Sequence, residues 1–234
     1  LRDIKDLFAN KPLLILFSLA MIIMLTITMR AGSAYYYFYY YVERPDLISS
    51  YLFWQMIAYA AGACMTPLLT KYIDKARLLM YLMGIVGCLS IVFFFVPKDA
   101  IWMMYALNTA ISLALGPKSP LTWSMYADTA DYTEWKTKRR ATAMTFSAAT
   151  FSQKLGGALG SAIMLWILAA IGYVAKEAQA GSSLIGINLL QTAIPGCFAL
   201  LAVLFLRHYT LSGDLLNQIQ SELAARETTA AAKT

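Results

Sequence analysis

The chain has 234 residues, 59% of them hydrophobic and 14% charged, with a formal net charge of +6 and a mean hydropathy of +0.58; soluble domains run about 45–50% apolar and about 25% charged. That balance excludes a large soluble domain, because six apolar runs, each long enough for the about 20 residues a bilayer crossing needs, use up most of the length. The positive charge does not point to nucleic acid, since the basic residues sit between the apolar runs and so report topology.

Residues 1–11 read as a charged lead-in followed by an apolar run too long for the h-region of a signal peptide. With Leu1 in place of an initiating Met, the chain is expected to begin within a longer product. Spans are predicted at 12–41, 47–69, 78–96, 101–126, 142–173 and 184–206. All are read as helical, because a barrel would need alternating segments of about ten residues. The fold class is therefore an all-α membrane protein, with a six-helix transmembrane bundle over 12–210 and an amphipathic tail over 211–234. Thirteen Lys and Arg fall in the loops and termini of one side and only Arg44, Lys98 and Lys176 on the other. The positive-inside rule then puts both termini in the cytoplasm.

In the first span, Arg30 is either an interfacial anchor or a gate. The run Tyr35-Tyr-Tyr-Phe-Tyr-Tyr-Tyr41 at its outer end is either an aromatic belt or a sugar-stacking lining. Cys64, Cys88 and Cys197 lie inside apolar runs, too far apart for a metal knuckle, and read as small buried hydrophobes. The fourth span carries Asn108, Ser112, Lys118, Ser119, Thr122 and Trp123, interrupted by Gly116, Pro117 and Pro120. Two prolines so close should break the helix and free carbonyls for a side chain, water or a polar substrate; broken helices of this kind often mark transporter binding sites. At the end of that span, Asp128, Asp131 and Glu134 at i, i+3 and i+6 form an anionic face expected to meet the basic cluster Lys136, Lys138, Arg139 and Arg140.

Lys154 is the sharpest signal. It lies about 20 Å into the fifth span at 1.5 Å per residue, near the middle of a hydrocarbon core about 30 Å thick. A lysine there costs about 2.5–3.5 kcal/mol on insertion scales, so it is expected to face the bundle interior and have a partner. Ser147, Thr150, Lys154, Gly157 and Ser161 recur at helical spacing as a polar stripe that lines a water-filled path; the competing reading is a packing seam around Gly156, Gly157 and Gly160 with a lysine that snorkels. His208 reads as an interfacial anchor. Leu215, Leu216, Ile219 and Leu223 make the tail a short amphipathic helix. No HExxH, no GxSxG and no second histidine point to an enzyme.

The stretch Ser124-Met-Tyr-Ala-Asp128-Thr-Ala-Asp131-Tyr-Thr-Glu134-Trp-Lys136-Thr-Lys-Arg-Arg140, followed by Phe151-Ser-Gln-Lys154-Leu-Gly-Gly, closely resembles the signature of the glycoside–pentoside–hexuronide:cation symporters. This branch of the major facilitator superfamily includes melibiose permease and the glucuronide and xyloside carriers. The resemblance covers essentially the whole chain but only the C-terminal six of the family's twelve helices. It implies a multi-pass protein of the bacterial cytoplasmic membrane that moves a sugar by alternating access. Its partners would be the lipid bilayer, a sugar or glycoside substrate and an N-terminal six-helix half. No cofactor is implied beyond a coupling Na⁺ or H⁺ held mainly by that other half. Asp128, Asp131, Glu134 and Arg140 resemble the family's cytoplasmic charge network. Lys154 resembles its coupling lysine, with Thr150, Ser147, Gln153, Ser119, Trp123 and Asn108 as the accompanying candidates for substrate binding or coupling. Two departures stand out: the family commonly has Gly at the positions of Thr133 and Lys138, and its sugar-stacking Trp falls near Ser119, one helical turn from Trp123. The alternative is a non-transporting membrane fragment or accessory helical bundle.

Overall fold

The computed structural model describes residues 10–138, 142–211 and 213–231, with side chains up to Arg226. Among these residues there are nine α-helices and no strands: α1 (Lys11–Tyr36), α2 (Ile48–Leu69), α3 (Lys75–Phe94), α4 (Ile101–Leu115), α5 (Lys118–Thr137), α6 (Thr142–Ala170), α7 (Gly181–Gln191), α8 (Ala193–Arg207) and α9 (Gly213–Ala231). Five helical segments are long and apolar enough to cross a membrane: Lys11–Tyr41, Pro45–Leu69, Lys75–Phe94, Thr142–Ala170 and Gly181–Arg207. The remaining predicted span is composite. Its helical path stops at Gly116, restarts from Pro117, and continues to Thr137 instead of ending at 126, so α5 carries all three acids.

Local chemistry fixes the element ends. Asn10 caps α1, its Oδ1 accepting from the Leu13 amide at 3.2 Å, with Pro12 in the first turn where a missing N–H costs nothing. The Asn10 Nδ2 also donates to Thr133 Oγ1 at 2.7 Å, which joins the start of α1 to the end of α5. Beyond α6, Gly172 at φ +71° closes the helix with Tyr173 N bonding Leu168 O at 3.0 Å, a left-handed stop that glycine adopts without a Cβ clash. Lys138 takes the same left-handed role after α5, at φ 55°.

Contacts at the two ends of the bundle establish an up–down order. Asn10 meets Thr133, and Lys75 meets Asp128, at the end where α1 and α3 begin. Tyr40 meets Tyr173 and Ser50 meets Tyr105 at the other. α1 runs through the middle, packed on α6, α8, α7 and α5, and is buried on nearly all sides, as an all-round apolar helix should be. The helices meet at glycines, as membrane helices do where backbones must approach. A Cβ on Gly160 would stand 2.9 Å from Leu25 O of α1, and one on Gly87 would stand 2.6 Å from Leu200 Cγ of α8. At the break in the fourth span, a Cβ on Gly116 would stand 2.6 Å from Gly62 Cα of α2, and the Leu113 carbonyl faces Gly62. Pro117 offers that carbonyl no N–H, and the close crossing with α2 is where it goes.

Four expectations need correction. Cys64, Cys88 and Cys197 are exposed; on a membrane bundle an apolar residue need not enter the protein core, because lipid is as apolar as the interior. The aromatic run splits because it continues α1 as a π-helix, Tyr37–Tyr41: Tyr37 and Phe38 enter the core, whereas Tyr35 and Tyr39 stay exposed and stack at 5.5 Å. The last span is broken as well, at Thr192 (φ −121°, ψ −85°), three residues before Pro195. Arg30 is not an interfacial anchor, but 2% exposed inside the bundle.

Candidate functional site

α6 presents two faces. Thr145, Ala149, Ser152, Gly156, Gly160, Met164 and Leu168 form the buried one, where Ser152 Oγ donates to Phe17 O and the glycines press on Met21 and Leu25 of α1. Ser147, Thr150, Lys154 and Ser161 lie on the other, all exposed. The small-residue seam and the polar stripe therefore coexist on opposite sides of one helix. Lys154 does not face the interior of these six spans as expected. Its ammonium makes no hydrogen bond or ion pair among the described residues. The inward face was already taken by the glycines, which alone allow the backbone of α6 to reach α1.

Trp123 of α5 extends this outward surface. Its ring is 37% exposed and stacks on Phe146 at 5.8 Å and 11°, beside Thr150, whose hydroxyl donates to Phe146 O at 2.9 Å. Gln153 and Ser119 are half-buried. Ser147, Thr150, Lys154 and Trp123 thus gather at one outward face that offers an ammonium, hydroxyls and an aromatic plane. These are groups suited to a hydroxylated ring compound.

Asn108 does not join them. It is buried, and its Oδ1 accepts from Arg30 Nη2 at 3.1 Å while Arg30 Nη1 donates to Ser90 Oγ at 3.2 Å. Alongside, Ser33 Oγ donates to Gln191 Oε1 at 2.6 Å, and Gln191 Nε2 donates to the Tyr51 hydroxyl at 3.2 Å. Ser90, Tyr51 and Gln191 escaped the sequence reading. Their signal was a polar group inside an apolar span, which membrane burial makes costly unless it is paired. Lys118, at the break, is also buried, with Nζ 3.4 Å from Met24 Sδ.

One acid on the α5 face has a partner outside the expected basic cluster. Asp128 is buried, and both its carboxylate oxygens accept from Nζ of Lys75, the first residue of α3, at 3.0 and 2.7 Å. Asp131 and Glu134 are half-buried nearby. Lys136 instead stands over the Tyr132 ring at 5.8 Å, and Arg140 lies outside the described residues. Thr133, where the resembled family has Gly, is the residue that Asn10 bonds.

The sequence family described as MFS/sugar transport protein matches residues 1–213. The chain is 29% identical over 224 residues to the inner membrane symporter YicJ of Escherichia coli (strain K12), covering 95% of this chain and 49% of that protein. It is 35% identical over 176 residues to an uncharacterized 29.9 kDa protein from the crtE 3′ region of Pseudescherichia vulneris, covering 73% and 64%. It is 27% identical over 231 residues to the glucuronide carrier protein homolog of E. coli, covering 96% and 50%. The chain spans about half the length of the two E. coli relatives. With an all-helical membrane fold and a match over nearly its full length, the chain belongs to the MFS/sugar transport protein family, within which the 124–157 stretch places it among the glycoside–pentoside–hexuronide:cation symporters.

Proposed function

We propose that the chain is the C-terminal six-helix half of a secondary active transporter. The carrier takes a glycoside, pentoside or hexuronide between two halves and moves it by alternating access coupled to Na⁺ or H⁺. Both termini lie in the cytoplasm, and the membrane is the bacterial cytoplasmic one. The observation that carries this reading is Lys154, an exposed, unpaired ammonium in mid-span on a face that also holds Ser147, Thr150 and Trp123. Lipid satisfies none of these groups, whereas the polar side of a second six-helix half satisfies all of them. The ion is bound mainly by that second half.

The Asp128–Lys75 pair, with Asp131, Glu134 and Arg140, closes the cytoplasmic mouth in one state of the cycle. In the complete carrier, Lys154→Ala should abolish uphill sugar accumulation while leaving membrane insertion intact; accumulation at the wild-type level would make the lysine a packing residue and remove the main support for this function. Orientation is tested separately, by cysteine placed at Gln220 with the three native cysteines replaced. Impermeant maleimide should label it only from the cytoplasmic side, and strong labelling from outside would refute the topology.

A further inference from the structure

Lys118 opens α5 directly after the break at Gly116 and Pro117, and it is 4% exposed. Among the described residues its Nζ has one polar neighbour, the Met24 thioether sulfur at 3.4 Å, and no ion pair. A thioether is a weak acceptor, so an ammonium with three donors keeps its charge uncompensated there. The chain supplies no carboxylate nearby. The sequence has no acid between Asp99 and Asp128, none between Asp6 and Glu43 in α1, and none between Glu134 and Glu177 in α6. Asp128 lies ten residues further along α5, about 15 Å away along its axis, and is held by Lys75. The helix adds to the imbalance, because the first residue of α5 sits at the positive end of that helix's dipole.

The ammonium reaches the edge of the face to which the second half is assigned. Along α1, Phe17, Met21, Met24 and Thr28 are half-buried and Tyr35 is exposed, a helical spacing that turns one strip of α1 outward. That strip runs between α5, whose Lys118 reaches Met24, and α6, whose Phe151 ring meets Phe17 at 6.2 Å and whose Gly157 faces Thr28. α1 also gives a common scale of depth. A Cβ on Gly156 would stand 2.8 Å from Met21 Cα. Lys154, two residues earlier, is therefore level with about position 19 of α1, and the Lys118 ammonium beside Met24 stands about 8 Å further along at 1.5 Å per residue. Two ammoniums, the half-buried Ser119 hydroxyl and the positive end of α5 thus bracket one strip, with no carboxylate of this chain among them.

We propose that Lys118 is a specificity-determining residue of the carrier, binding an oxyanion on the sugar, a carboxylate or a sulfonate, while the sugar ring lies along α1 towards Lys154. The ammonium donates to the oxyanion, a charge-assisted contact roughly twice as strong as one between neutral groups. Ser119 Oγ and the amides of the first turn of α5, which have no partner within their own helix, add donors. A neutral glycoside leaves the ammonium facing sulfur, whereas an acidic one satisfies it, so the discrimination is built into a group that is already buried. This inference rests on the transport function proposed above and adds the residue that separates acidic from neutral sugars. Were an acid of the second half to hold Lys118 instead, acidic sugars would have no advantage.

Sugar exchange by the complete carrier in proteoliposomes tests this, with methyl glycosides of the gluco and galacto series that differ only in bearing a carboxylate, a sulfonate or a hydroxyl at C6. At least one acidic sugar should show a KM about tenfold below that of its neutral counterpart, and which one does so tells carboxylate from sulfonate. Lys118→Met, similar in shape and without the charge, should raise the KM of that acid about tenfold and close the gap. Lys118→Arg should keep the acid preferred. Helical circular dichroism in detergent shows whether Lys118→Met has folded, and the selectivity of the wild type decides the matter if it has not. Equal KM values for acidic and neutral sugars in the wild type would overturn the assignment of Lys118 and leave the transport function standing. An undiminished preference for the acid in folded Lys118→Met would do the same. No exchange of any sugar would overturn both.

Discussion

Arg30 and Lys154 are both cations at membrane depth, and their surroundings differ. A charge at the centre of a span costs about 2.5–3.5 kcal/mol on insertion scales, and Arg30 offsets it with neutral acceptors, Asn108 Oδ1 and Ser90 Oγ. Removing one acceptor leaves a buried guanidinium with an unmet donor. Asn108→Leu should therefore lower stability by about 2–4 kcal/mol, and Arg30→Met added to it should restore most of the loss. Thermal unfolding in detergent, analysed as a double-mutant cycle, checks this, and strictly additive losses would mean that the two side chains do not depend on one another. Lys154 has no such shell within the chain. Its depth was legible in the sequence by counting residues, but the side of the helix it occupies was not, because that depends on glycines pressing against α1, more than a hundred positions earlier. The partners of Arg30 were illegible for the same reason, as Ser90 and Asn108 lie on other spans.

At the scale of the element, the break in the fourth span was written in Gly116, Pro117 and Pro120, and the structure gives it a use: the backbones of α2 and the α4–α5 junction touch at Gly62 and Gly116. Gly116→Leu should destabilise by about 1–3 kcal/mol or more through overpacking, whereas Gly84→Leu should be close to neutral. Equal melting temperatures for the two variants would argue against the close crossing. The break at Thr192 went unread because hydropathy runs on through it and Pro195 lies in the first turn of the next helix, where proline is tolerated. The tail forms α9 over Gly213–Ala231, and its dock was not legible in the sequence. Leu216 and Ile219 are buried, and Trp135 Nε1 of α5 donates to Glu222 Oε2 at 2.7 Å. That indole, with the Gln218 amide, holds the Glu222 carboxyl below its ordinary value. A depressed carboxyl supports the folded arrangement above its unpaired value, about 4.3 for Glu, and that support is lost as pH falls through the lower folded value. Hydrogen exchange across 213–226 should thus stay slow at neutral pH and quicken below about pH 4. In Trp135→Phe it should be fast at neutral pH already; exchange as slow as in the wild type would mean that the indole does not hold the tail.

For the whole molecule, six spans and an up–down order followed from hydropathy and loop charge. The arrangement of faces did not, because in a bilayer both the protein interior and the lipid are apolar and the amphipathic period that reveals inward faces in soluble helices fades. What remains visible is polarity at depth, and it distinguishes two outer surfaces: one along α3 and α8 with exposed Tyr81, Ile85 and Leu204, and one at α5 and α6 on which Lys154, Thr150, Ser147 and Trp123 lie among exposed apolar side chains such as Phe151 and Leu165. The proposed function gives the α5–α6 surface a second six-helix half, and with it the ion site. The most direct test is to reconstitute the purified 234-residue chain in liposomes, impose a Na⁺ or H⁺ gradient, and measure uptake of labelled glycosides. The half-carrier account predicts no gradient-driven uptake by this chain alone, and gradient-driven accumulation of any glycoside would contradict it.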